Sequence, residues 1–185
     1  MPTSVSKIEA ASRQLNAAIR LFFSCGDDIA VHTLAAAAAN VFADIIENRT
    51  GASWRTRARD DSGLSMKEVV RVLHEEWNFF KHADRDPDAV LQFNEEFAAD
   101  LMFMATLDCG DLASTSCEMQ AFQIWYMAAS KIWVPSDHEP FSVARRTLPG
   151  LSALPRMEQI ERGAEFLSEH CGNGPNNSLQ RDRAG

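Results

Sequence analysis

Apolar residues recur at steps of three and four along most of the chain, and no stretch alternates with period two for long enough to make a strand. The pattern predicts an all-α fold. Ile8, Ala11, Leu15, Ala18 and Phe22 form the stripe of a first helix that ends near Gly26. Asp27 or Asp28 can cap a second helix, with Val31, Leu34, Ala38, Val41 and Ile45 as its stripe and Gly51 as its stop. Within it, the alanines from Ala35 to Ala39 favour helix and let a neighbour approach closely. From Thr50 to Gly63 there is no apolar period, only Gly, Ser, arginines and aspartates around Trp54, which predicts an exposed loop.

A third helix opens on a capping box, Ser65 with Glu68, and carries Met66, Val69, Leu73, Trp77 and Phe80 on its apolar face. Pro87 and its neighbouring aspartates interrupt the pattern. A fourth helix resumes near Asn94 with Phe97, Leu101 and Met104 inward, and Gly110 terminates it. Thr115 with Glu118 makes a second capping box, ahead of a helix bearing Phe122, Trp125, Ala129 and Ile132 that Pro135 ends, with Trp133 packing as well. After a connection of about twenty residues, Met157, Ile160, Ala164 and Leu167 mark a sixth helix closed by Gly172. The expected architecture is an antiparallel bundle of five to six helices in a single domain spanning 1–172, followed by a polar, disordered tail over 173–185.

Composition adjusts this picture little. A chain of 185 residues can bury a core without metal or disulfide staples, and its 45% apolar and 24% charged residues are ordinary for a globular chain. The apolar run Ile29 to Ala39 is too short to cross a bilayer, and no charged segment leads into an apolar stretch at the N-terminus, so no membrane association and a cytoplasmic location are expected. Cys25, Cys109, Cys117 and Cys171 lie far apart without a Cys-x-x-Cys pair, which predicts reduced thiols. A formal charge of −8 gives no general attraction to polyanions, so nucleic-acid contact requires a local basic patch. Arg55, Arg57 and Arg59 beside Trp54 are the candidate patch, able to grip phosphate and stack on a base, with Asp60 and Asp61 partly cancelling the charge.

The third helix has a second face that core packing does not explain. Arg71, His74, Asn78 and His82 follow at steps of three, four and four, which places them on one side. Histidine can serve as acid, base or ligand near neutral pH, and arginine can bind phosphate. A working site and a solvated, hydrogen-bonded face are both open readings. Beyond it, Asp84, Asp86, Asp88 and Glu95 match positions of an EF-hand calcium loop, with Leu91 at the apolar position. Ala89 stands where that loop requires glycine and Pro87 restricts the backbone, so helix capping by Asp86 or Asp88 is the preferred reading. His74 and His82 are about 12 Å apart along a helix and cannot share an ion unaided. No metal or cofactor is expected.

The amphipathic first helix with A-A-I-R-L-F-F, the Ala-rich second helix and the third helix ending N-F-F-K-H together resemble the HEPN superfamily of small helical domains over roughly residues 8 to 135. Asn78 and His82 match the last two elements of that family's Arg-Asn and His motif, while Trp77 stands where the arginine belongs. The resemblance implies a frequently dimeric helical bundle that, in active members, cleaves RNA without a metal. It makes Asn78 and His82 the candidate catalytic pair, while the stripe itself adds Arg71 and His74 and the basic patch adds Arg55, Arg57 and Arg59 as binding candidates. Two other readings stand beside contact with RNA or nucleotide. One is a homo-oligomeric or partner-binding bundle, suggested by Phe103, Trp125, Tyr126, Met127 and Trp133 in excess of one stripe, and the other is a metal-binding bundle.

Overall fold

The computed structural model describes residues 3–82, 84, 86–131 and 138–172. Trp133 and Pro135, and the tail at 173–185, lie outside the described residues. All regular structure among the described residues is helical: α1 (Lys7–Phe23), α2 (Asp28–Arg49), α3 (Trp54–Ser62), α4 (Met66–Lys81), α5 (Phe97–Leu112), α6 (Cys117–Ala129), α7 (Phe141–Thr147) and α8 (Arg156–Gly172), with a 3-10 turn at Leu151–Ala153. The helices gather into two compact units, one of residues 1–22 and 26–115, the other of 23–25 and 116–185.

The first unit is built on α2 and α5, its most extensive helix pair. Asp27 caps α2 by accepting from the Ala30 amide at 2.9 Å. The buried surface of α2 is broader than the single stripe read from the sequence: Val31, Ala35, Ala38, Phe42 and Ile46 lie beside His32, Ala36, Ala39 and Ala43, whereas Leu34, Val41 and Ile45 are half-buried. Small side chains explain the shift. Alanines on α2 face a helix that buries Ala98, Ala99 and Ala105 around Leu101 and Met102, and short side chains let two backbones come close. By length and hydropathy alone the whole of α2, longer than the run Ile29 to Ala39, could cross a membrane, and half of that span is buried by protein, as in a core helix.

Residues 54–62 are helical and not the expected loop. Ser53 caps α3, Gly63 ends it at a φ of +70°, and Trp54 and Arg55 are buried. Nine residues are too few to show an apolar period, and the anchor is remote: the Trp54 amide donates to Asp108 Oδ1 at 3.1 Å. The capping box of α4 forms as predicted, with Glu68 returning a bond to the Ser65 amide at 2.9 Å. Val69 is buried, while Met66, Leu73, Trp77 and Phe80 are half-buried. Helix α5 starts at Phe97 and passes through Gly110 to Leu112.

In the second unit the α6 cap is Ser116, which accepts from the Met119 amide at 3.2 Å, one residue later than the expected Thr115 box. Phe23 meets Trp125 edge to face with centroids 5.3 Å apart. The Trp125 indole donates to the Gln159 carbonyl at 2.7 Å, and Gly163 of α8 lies against both aromatic rings. The predicted connection contains α7, with Ala144, Leu148 and Leu151 buried. Met157, placed on the α8 stripe from the sequence, is exposed; Gln159, Ile160 and Gly163 are the buried positions. The thiols also depart from expectation. Cys117 and Cys171 form a disulfide with Cα atoms 5.7 Å apart, because the start of α6 and the end of α8 meet, while Cys25 and Cys109 remain free.

Candidate functional site

The polar face of α4 borders a cavity of about 450 Å³. Arg71, Glu75, Asn78, Phe79 and His82 supply the helical wall, and Asp86, Ala89, Val90 and Leu91 from the following connection supply the other. The helical period produces this arrangement: 71, 75, 78 and 82 recur at steps of four, three and four. The connection is held in place by its own contacts. Phe93 packs edge to face on Phe80 with centroids 5.6 Å apart, and the Asn94 amide donates to Glu76 Oε1 at 3.2 Å. His82 is the C-cap residue of α4, its amide bonded to the Asn78 carbonyl at 3.1 Å. Its Nδ1 lies 3.8 Å from Asp84 Oδ1, close enough for charge attraction but too long for a hydrogen bond.

Three of the four residues on the predicted stripe reach the cavity, and His74 does not. Its Nε2 lies 2.6 Å from Asn40 Oδ1 on α2, which assigns the proton to Nε2 and makes His74 a helix-to-helix link. Burial, followed by the charges of Arg55 and Lys81, pushes the His74 pKa down against the opposing charge of Asp44.

The arginine patch does not reach this cavity either. Arg55 is buried and donates to Asp44 at 2.5 Å and to Glu47 at 3.2 Å. Arg57 pairs with Asp111 at 3.1 Å, and Arg59 with its neighbour Asp60 at 2.6 Å. Each guanidinium therefore has a carboxylate partner where a free phosphate grip was expected. The cause is tertiary for Arg55 and Arg57, whose partners come from α2 and α5.

Two buried ionisable groups, His32 and Asp108, stand outside every predicted site. His32, fully buried on α2, sits among Phe80, Phe93 and Phe97 with ring centroids 5.7 to 6.1 Å away. Its Nε2 is 3.0 Å from Glu76 Oε2, yet the alignment is too poor for a hydrogen bond and both atoms lack one. Burial lowers the His32 pKa to about 4. Glu76 moves the other way, raised by burial against the opposing bond from Asn94. The signal was present, since His32 is the one ionisable residue inside the apolar run Ile29 to Ala39. Asp108 is likewise fully buried, and desolvation raises its pKa to about 6 against the bond from the Trp54 amide.

The calcium-loop residues Asp84, Asp86, Asp88 and Glu95 are exposed and form no ligand cluster among the described residues. Helix capping by Asp86 or Asp88 is also overturned: α5 begins only at Phe97, and the Asp86 carbonyl accepts from the Ala89 amide in a turn. The sulfurs of Cys117 and Cys171 and a Glu118 oxygen lie within 4.8 Å of one another, but both sulfurs are committed to the disulfide. Of the aromatic and methionine residues read as surplus, Trp125 and Met127 are buried and Phe103 and Tyr126 are half-buried. No family model, characterised protein or solved structure matches the chain.

Proposed function

We propose that the cavity on α4 binds a nucleotide, in a helical domain of HEPN-like type. The observation that carries this reading is the order of groups along one wall: a guanidinium at Arg71, a carboxylate at Glu75, an amide and an aromatic ring at Asn78 and Phe79, and an imidazole at His82. Arg71 and Asn78 are separated by about 10 Å of helix rise, which suits a phosphate held at one end and a base at the other. Arg71 holds the phosphate, Glu75 accepts from a ribose hydroxyl, Phe79 stacks on the base, and Asn78 and His82 bond its edge. Val90 and Leu91 cover the apolar side of the base.

The reading is one of binding. Arg71 and His82 are about 16 Å apart along the helix, the Lys81 ammonium beside His82 in sequence lies over the Trp77 ring, 3.1 Å from its centroid, and the arginine patch has carboxylate partners. Isothermal titration with the four ribonucleoside monophosphates, and separately with a short single-stranded RNA, tests it. Arg71→Ala is expected to weaken nucleotide binding about tenfold, and Asn78→Ala and His82→Ala about fivefold. Absence of binding at millimolar nucleotide, or variants that bind as the parent does, overturns the reading. Binding of RNA alone moves the proposal from nucleotide to polynucleotide.

A further inference from the structure

The Cys117–Cys171 disulfide is placed where it controls part of a helix. The first turns of α8 are anchored by burial of Gln159, Ile160 and Gly163 against the Trp125 region of α6. After Gly163 the helix has no buried residue: Glu165, Ser168, Glu169 and His170 are exposed, and Ala164, Phe166 and Leu167 are half-buried. The stacking of Phe166 on His170, centroids 5.4 Å apart, lies within the helix. Among the described residues, the sulfur bridge is the covalent tether of turns that contain no fully buried side chain.

The two sulfurs are not equivalent. Cys117 is the first residue of α6, where the helix dipole, against the opposing charge of the Glu118 carboxylate, favours a thiolate. Cys171 lies in the last turn of α8, where the carbonyl end disfavours one. Both are half-buried, so a small thiol can reach them. We propose that this bridge is a reversible thiol–disulfide switch, reduced by a dithiol, that releases the last two turns of α8 from the start of α6. A reductant thiolate attacks Cys171 Sγ; the S–S bond breaks and its electron pair leaves on Cys117 Sγ. The reductant's second thiolate then closes on its own sulfur in the mixed disulfide and expels the Cys171 thiolate. Two electrons pass to the protein sulfurs, the reductant leaves as a disulfide, and the protein thiolates take protons from solvent. Glu118 Oε2, 3.8 Å from Cys117 Sγ, is the acceptor for the thiol proton once it forms.

Hydrogen exchange with mass spectrometry on the full chain, before and after treatment with dithiothreitol, tests the switch. A Cys25→Ser background removes the exposed free thiol. Alkylation should count two fewer reactive sulfurs in the oxidised protein, a difference that returns on reoxidation. Amides over 165–171 should exchange at least about tenfold faster after reduction, with 156–163 and the first unit unchanged. Cys171→Ser should show the faster exchange without reductant. Equal protection in both states overturns the proposal, as does loss of protection throughout the second unit, which would make the bridge a staple. Failure of the sulfurs to reoxidise also overturns it.

Discussion

His32 and Asp108 act on stability in opposite directions over nearly the same pH range. Unfolded His32 binds protons near its ordinary pKa of 6.5, whereas the folded ring resists protonation down to about 4. The unfolded chain therefore holds more protons between those values, and this residue removes about 3 kcal/mol as pH falls from 6.5 to 4. Folded Asp108 keeps its proton up to about 6, against an ordinary value of 3.8. The folded chain holds more protons in that interval, so this residue adds about 3 kcal/mol over the same descent. The raised pKa of Glu76 works in the same direction as Asp108. In urea titrations the parent should show a shallow net slope between pH 4 and 6. Asp108→Asn should steepen the loss on acidification and raise stability at pH 8 by about 2 kcal/mol, because the amide oxygen still accepts from Trp54 without a buried charge. His32→Leu should reverse the slope, so that acid stabilises the variant. A parent and variants with one common slope would exclude both assignments. Neither group could be weighted from the sequence, because Phe80, Phe93 and Phe97 surround His32 only after three segments meet, and Asp108 reads as an ordinary polar position near a helix end.

Local signals gave up their elements and remote ones did not. The Ser65 and Glu68 box and the stripe beginning at Met66 lie within one turn or one face, and α4 starts where they put it. Ser65→Ala should cost about 1 kcal/mol in chemical denaturation and fray the turn leading to Arg71. By contrast α3 is capped by Ser53 but fixed by Asp108 from a point 54 residues away, and no window of sequence shows that. The same holds for the partners of Arg55 and for the start of α5, displaced by a connection that Phe93 and Asn94 fasten to earlier residues. In the second unit Gly163 marks the contact between α8 and the aromatic pair. A Cβ there would lie 2.2 Å from a Phe23 ring carbon and 2.7 Å from Trp125 Cδ1, so neither ring has room. Gly163→Ala should destabilise that unit by about 1 to 3 kcal/mol despite its better helix propensity, with a change in the tryptophan near-UV signal.

Across the whole chain, charge decides what kind of anion can bind. With 26 acidic residues against 18 Lys and Arg, the overall field repels a long phosphate backbone, and the arginines of α3 are paired with carboxylates. Nucleotide affinity should therefore fall by no more than about fourfold between 50 and 200 mM salt, as for one neutralised phosphate. A hundredfold fall would require a track of cations beyond Arg71. The all-α composition was legible because apolar period is a property of the whole sequence. The cavity was legible only on its α4 side, since its other wall has no period. Glu76 joins that wall to the core: one carboxylate oxygen holds the Asn94 amide and the other faces His32. In evolutionary terms this couples positions 32 and 76. A chain that loses the carboxylate frees the wall and leaves an imidazole sealed among phenylalanines without its counterpart. Among descendants of this sequence the two residues should be kept or exchanged together, and position 94, which contributes only its backbone, should be free to vary.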